Sequence, residues 1–294
     1  MPLSLNSIEI VGGLGTGLVA ALCTFFFTPV ANRLATRVGA VDQPDHRKLH
    51  RSPTPRLGGA SMLLGGVLGL AILLLLLAPE RLAQLSLSSQ LLGVAPGVLL
   101  IFLLGVADDV WGVSVGKKFL VQALAAGLVL VSCGAINTLN LPFLGSVELG
   151  WLGYGVSFLW LVGVTNAFNL IDGLDGLAAG VGSIVATSVA VVAFVRGDVA
   201  TTLVAAAVAG ACLGFLPHNW NPATTFMGDS GSLTIGFVLA VMAHNSSLKA
   251  ATTVAVLVPV LALGLPAIDT LLVMGFRFVS SPDRRLTRRV VRMF

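Results

Sequence analysis

The chain has 294 residues, of which 56% are hydrophobic and 10% charged, with a net charge of +4 and an isoelectric point near 9.3. Soluble domains carry about 25% charged residues, so the composition excludes an ordinary globular enzyme and describes an integral membrane protein. The small positive excess does not indicate nucleic-acid binding, because no soluble basic domain exists to carry it.

Nine apolar runs follow in chain order, at roughly residues 8–30, 57–78, 91–107, 119–136, 147–165, 177–195, 199–217, 233–248 and 251–276. They are long and unbroken, without the two-residue alternation of an outer-membrane barrel. The predicted class is therefore all-α: a polytopic transmembrane bundle of about nine spans forming a single domain over residues 1–294. Residues 280–294 make a basic cytoplasmic tail. The first run has no basic residue ahead of it and no cleavage site behind it, which marks a retained helix rather than a signal peptide. Cys23, Cys133 and Cys212 lie in or at the ends of apolar runs without CxxC spacing, as packing residues do.

With nine spans, alternate loops share a side of the membrane. Fourteen of the seventeen basic residues then fall together: Arg33, Arg37, Arg47, Lys48, Arg51, Arg56, Lys117, Lys118 and the six arginines from Arg277 to Arg292. Only Arg81, Arg196 and Lys249 face the other way. This asymmetry assigns the basic side to the cytoplasm and the N-terminus to the exterior.

The acids follow the same parity. Asp108 and Asp109 close the third run with Lys117 and Lys118 just beyond, and carboxylates at such a boundary mark a cation, a phosphate-bearing substrate or a proton path. The segment Asn166-Ala-Phe-Asn-Leu-Ile-Asp-Gly-Leu-Asp-Gly176 spaces Asn169, Asp172 and Asp175 by three, so a helical turn would present them on one face. Their oxygens suit a hard divalent cation or the polar edges of a nucleotide; a helix cap followed by a turn is the plainer alternative. In Gly228-Asp229-Ser230-Gly231-Ser232, a carboxylate stands at the start of the next span. Free amides there would favour phosphate oxygens, with Asp229 holding Mg²⁺ against them. The loop from Asp42 to Gly59 brings arginines and Lys48 that suit headgroups or a diphosphate. His218 and His244 stand alone and read as structural.

Taken together, Asp42–Gly59, Asp108–Phe119, Asn166–Gly176 and Asn219–Ser232 resemble, in order, the motifs of the polyprenyl-phosphate N-acetylhexosamine-1-phosphate transferases, the glycosyltransferase 4 family. The stretches NAFNLIDGLDGLA and FMGDSGSL carry most of the likeness. The ending PRLGG of the first loop is more similar to the branch that transfers N-acetylglucosamine-1-phosphate to undecaprenyl phosphate than to the muramoyl-pentapeptide branch. The resemblance implies a multi-pass protein of the bacterial inner membrane that acts at its cytoplasmic face. There a UDP-N-acetylhexosamine, most simply UDP-N-acetylglucosamine, would meet undecaprenyl phosphate, release UMP and begin a cell-envelope polysaccharide.

Carried over to this chain, the resemblance implies that Asp229 and Asn169 ligand Mg²⁺, with Mn²⁺ as the alternative. Asp172 and Asp175 would line the nucleotide pocket. Asp108 and Asp109 would position or deprotonate the prenyl phosphate, and Lys118, Lys48 and Arg56 would hold phosphate groups. The family's histidine motif in the last cytoplasmic loop has no counterpart in Ser281–Val290, where Arg285, Arg288 and Arg289 stand instead and are expected at the diphosphate. The implied partners are undecaprenyl phosphate, the UDP-sugar and the bilayer, with a homodimer left open and no nucleic acid. Two other readings stay open from sequence: a homologue that binds substrate without turnover, and a proton-coupled transporter using Asp108, Asp109 and Asp269.

Overall fold

The computed structural model describes residues 7–44, 53–76, 89–141 and 145–249. Within them the chain forms eight helices and two short antiparallel pairs. In order these are α1 (Ser7–Val38), β1 (Val41–Asp42), β2 (Thr54–Pro55), α2 (Gly58–Leu76), α3 (Ser89–Trp111), α4 (Val115–Cys133), β3 (Thr138–Leu141), β4 (Gly145–Glu148), α5 (Leu152–Ile171), α6 (Leu177–Val195), α7 (Val199–Asn219) and α8 (Gly228–Lys249). Six of them (α1 and α3 through α7) are long and apolar enough to cross a membrane, and the apolar stretch of α2, Gly58–Ile72, is shorter. The protein is thus a multi-pass, all-α membrane protein; the predicted ninth span, 251–276, lies outside the described residues.

Unbroken Leu, Val and Ala runs make these helices, because in lipid each backbone amide must be satisfied within its own segment. Their ends depend on local chemistry. Gly134 takes a positive φ of 76° after α4 and returns its N–H to the Leu130 carbonyl, a stop that suits glycine. Asp198 caps α7, its carboxylate accepting from the Thr201 amide at 3.2 Å and the Thr201 hydroxyl at 2.8 Å.

Helix α8 is the axis of the bundle. It is buried almost continuously from Ser230 to His244 and packs against α2, α3, α5 and α6. Around it, α4 leans on α3 and α5, α6 packs on α7, and α1 lies across α2 and α7. Small residues allow the outer helices to approach. Gly210 and Gly214 of α7 sit directly on the α1 backbone at Gly17 and Ala21, and Gly65 of α2 meets Thr24. Lipid tails offer no hydrophobic gain between helices, so such close packing and buried hydroxyl pairs, such as Thr28 with Ser61 at 2.9 Å, carry the association. Leu14, Leu18 and Leu22 of α1 face outward, as lipid-facing side chains do.

Exposed aromatics mark two levels. Trp111 and Trp220 stand where α3 and α7 end, and Trp151 and Tyr154 stand where α5 begins. Tryptophan and tyrosine favour the membrane–water boundary, and the twenty residues of α5 span about 30 Å between the two levels.

The helices differ from the apolar runs mainly at the motif-bearing end. There α3 continues to Trp111, α4 starts at Val115 and α8 at Gly228, so the polar motif residues extend helices instead of forming loops. The run predicted at 147–165 shifts to 152–171. Its first residues belong to a hairpin in which Thr138 pairs with Glu148 and Leu141 with Gly145. His218 and His244 each meet a backbone carbonyl, of Phe25 and Gly134 respectively.

Candidate active site

Four polar stretches meet at the end of the bundle where α3, α5 and α7 finish. The segment after β2 is the first. The Phe226 amide donates to the Pro55 carbonyl at 2.8 Å, Gly58 donates to Phe226 at 3.1 Å and Gly59 to Met227 at 2.9 Å. This short ladder docks the start of α2 onto the start of α8. A side chain at Gly58 would strike the Phe215 ring and the Phe226 carbonyl, and one at Gly59 the Gly231 backbone. The glycine pair is a steric requirement of that contact.

Asp108 and Asp109 have separate tasks. The Asp109 side chain is fully buried and accepts from the Asp229 and Ser230 amides, each at 2.9 Å. It caps α8 from the neighbouring helix, with Arg56 at 3.6 Å. This corrects the expectation of free amides that receive phosphate at the start of α8. In this arrangement the Asp109 side chain offers no surface, whereas the resemblance implied that it positions or deprotonates the prenyl phosphate together with Asp108. Asp108 accepts from the Val113 amide at 2.6 Å and from Lys118 at 2.8 Å.

Asp229 is the hub. Its Oδ2 accepts from Lys118 Nζ at 2.7 Å and its Oδ1 from Asn169 Nδ2 at 3.1 Å. The Asn169 amide group also donates to Ser232 Oγ at 2.7 Å, and Ser232 in turn donates to the Gly228 carbonyl at 2.9 Å. Both amide protons of Asn169 are thereby engaged, and its carbonyl oxygen is the atom left to meet a ligand. Residues from α3, α4, α5 and α8 converge within hydrogen-bonding reach.

Asn169, Asp172 and Asp175 do not share a helical face. Helix α5 ends at Ile171, and Asp172 takes the C-cap with φ −76° and ψ 37°. Asp172 keeps some accessible surface although protein surrounds it densely. Burial pushes its carboxyl well above the usual range, and Asp229 and Asp109 add repulsion that Arg56 partly offsets. Asp175 turns toward the loop after α7, where its Oδ2 accepts from Asn221 Nδ2 and the Ala223 amide, both at 3.0 Å. Asn219 completes that link by accepting from the Gly176 amide at 3.0 Å. Arg56 lies near the cluster, 3.6 Å from Asp109 and 3.8 Å from Asp42. Lys48, Arg285, Arg288, Arg289 and Asp269 lie outside the described residues.

Sequence reasoning overlooked Ser232, Asn219 and Gln122 as individual contributors. Gln122 had a readable signal: a lone amide inside an apolar run, one helical turn after Lys118. Ser232 and Asn219 had none beyond membership of a polar stretch.

No group of three or more His, Cys, Asp or Glu gathers into an all-protein metal cage among the described residues. The donors suit Mg²⁺ nonetheless. Mg²⁺ is commonly held by one or two carboxylates, with substrate phosphate and water completing the shell. The Lys118 ammonium, bonded to both Asp108 and Asp229, shows that these two carboxylates already converge on one positive charge.

The sequence profile of glycosyl transferase family 4 matches residues 91–247, which hold three of the four converging stretches. A probable undecaprenyl-phosphate N-acetylglucosaminyl 1-phosphate transferase of Bacillus subtilis (strain 168) is 36% identical over 274 residues, covering 91% of this chain and 74% of that one. The chain belongs to glycosyl transferase family 4. Other family members extend the comparison. A decaprenyl-phosphate N-acetylglucosaminephosphotransferase of Mycobacterium tuberculosis (strain ATCC 25618 / H37Rv) is 40% identical over 236 residues, and this chain spans 58% of its length. A phospho-N-acetylmuramoyl-pentapeptide-transferase of Synechococcus sp. (strain WH7803) is 36% identical over 261 residues, 68% of its length. The family resemblance drawn from the sequence motifs holds, and these relatives are named as sugar-phosphate transferases.

Proposed function

We propose that this chain is a sugar-1-phosphate transferase that moves N-acetylglucosamine-1-phosphate from UDP-N-acetylglucosamine to undecaprenyl phosphate, releasing UMP at the cytoplasmic face of a bacterial inner membrane. The observation that carries the reading is the convergence on Asp229 of Lys118, Asn169 and, through Lys118, Asp108. The names of the relatives from Bacillus and Mycobacterium support the class of acceptor and of transferred group. The basic loops support the orientation.

The chemistry needs positioning more than a strong base. An oxygen of the prenyl phosphate attacks the phosphorus bearing the sugar, a new P–O bond forms, and the bond to the UMP oxygen breaks. With a dianionic acceptor, no proton is released; with a monoanion, Asp108 takes it. Transfer of this kind depends on alignment and charge neutralisation. Lys118 neutralises phosphate charge, and Asp108 orients Lys118 and the acceptor. Asp229 and the Asn169 carbonyl would hold Mg²⁺, whose contribution is to neutralise the diphosphate. Asp172 and the turn held by Asp175 line the nucleotide side, and Arg56, Lys48 and Arg288 supply further positive charge. A prenyl chain remains in lipid while its phosphate reaches the boundary, where a soluble nucleotide sugar can meet it.

The decisive experiment incubates purified protein with Mg²⁺, labelled UDP-N-acetylglucosamine and undecaprenyl phosphate. UMP release that requires both substrates supports the transferase. Binding without release identifies a homologue lacking turnover, and proton-driven flux without UMP identifies a carrier; either result removes the proposal.

A further inference from the structure

Gln122 of α4 and Asn166 of α5 form a reciprocal amide pair. Gln122 Nε2 donates to Asn166 Oδ1 at 3.2 Å, and Asn166 Nδ2 donates to Gln122 Oε1 at 2.7 Å. Asn166 Nδ2 also donates to the Val162 carbonyl at 2.8 Å, which fixes the orientation of that amide on its own helix. Gln122 is 1% exposed, so its amide depends on a protein partner, while Asn166 is half-buried. Val129 of α4 and Val162 of α5, two turns and one turn from the pair, are buried apolar residues. Apolar side chains would cover the same area without desolvating the Gln122 amide. What the amides add is geometry, since two opposed hydrogen bonds close only at one separation and one register of the two helices.

That register matters one turn away. Lys118 precedes Gln122 by four residues on α4, and Asn169 follows Asn166 by three on α5, so both point to the same side of the pair. From there Lys118 takes Oδ2 of Asp229 and Asn169 takes Oδ1. A sliding of α4 against α5 by about one ångström would move one of these grips relative to the other, a misplacement large enough to matter for turnover. Helix α4 rests mainly on α3 and meets α5 less extensively.

We propose that Gln122 and Asn166 are positioning residues that lock α4 to α5 and so hold Lys118 and Asn169 on the two oxygens of Asp229. The inference rests on the proposed function only in giving that arrangement a role in turnover. Its geometric content can be measured separately, through the chemical accessibility of Lys118.

The test compares wild type with the double variant Q122L/N166L, the single variant Q122N and the exchange Q122N/N166Q, each as the full chain in lipid nanodiscs. Two readouts are taken: acylation of Lys118 relative to exposed Lys117 by tandem mass spectrometry, and kcat and KM for UMP release. Replacing both amides with apolar groups of similar size is close to neutral for stability, so Q122L/N166L is expected to melt near wild type. Its Lys118 is expected to acylate several-fold faster, and its kcat to fall about tenfold or more with KM little changed, the signature of misplacement. Q122N, one methylene short, moves both readouts the same way. The exchange restores the summed length of the two side chains and should return both to within about twofold of wild type. The inference is overturned if Q122L/N166L, or Q122N where the double variant does not fold, retains wild-type labelling and turnover. It also fails if the folded exchange restores neither. Wild-type protein that labels slowly at Lys118 but releases no UMP would remove the functional reading, while the labelling comparison still decides the geometry.

Discussion

Adjacent residues on a helix point about 100° apart, and that angle explains how Asp108 and Asp109 come to different partners. One reaches Lys118 on α4, the other the amides that open α8. Their substitution should therefore fail in different ways. Asp109→Ala leaves two buried amides without acceptors at a cost of about 2–4 kcal/mol, and should lower the melting temperature whether or not substrate is present. Asp108→Asn should melt close to wild type while kcat for UMP release falls about a hundredfold. Equal melting temperatures for the two variants would refute the division. Asp172 makes a separate prediction. Its folded carboxyl holds a proton to higher pH than the unfolded chain does. That contribution to stability is complete below the ordinary carboxylate range and is lost as pH rises through the elevated folded value. The melting temperature of metal-free protein should fall across that window, and Asp172→Asn should lack this component. An identical pH profile in the variant would sink the assignment.

Helix interiors were legible in the chain because Leu, Val and Ala runs leave lipid-facing segments no alternative to a helix. Helix ends were not, because partners elsewhere in the fold satisfy the polar residues that extend them. Without the Asp109 carboxylate, Gly228 and Asp229 would read as loop. Without the Asn221 and Ala223 donors, Asp175 would read as a free ligand. The start of α8 is also set by steric contact with two other helices. A methyl group on Gly105 of α3 would overlap the Asp229 carbonyl and the Ser230 backbone. Gly105→Ala is expected to displace this turn, reducing turnover at least about tenfold and lowering the melting temperature. Retention of wild-type values for both would show that α8 can shift without consequence.

Across the whole molecule, Asp108, Asp109, Asp172 and Asp229 gather at one end of the bundle, with Lys118 and Arg56 as the cations placed among them in the described residues. Carboxylates that outnumber the cations among them favour a positively charged ligand. Mg²⁺ should raise the melting temperature of wild type in proportion to the logarithm of its concentration above the dissociation constant. Asp229→Asn should remove most of that shift and abolish Mg²⁺-dependent turnover while the protein still inserts into membranes. A full shift in the variant would exclude Asp229 from the cation site.

Hydrophobicity and charge placement along the chain determined that this protein spans a membrane as helices, and the order of its polar stretches determined its family. Both are properties of local composition and sequence, readable one segment at a time. Only the tertiary structure decided which oxygen of Asp229 meets which donor, why Asp109 is a cap, and why Asp175 holds a loop. Those choices depend on helices distant in sequence whose approach is set by glycine contacts and paired amides.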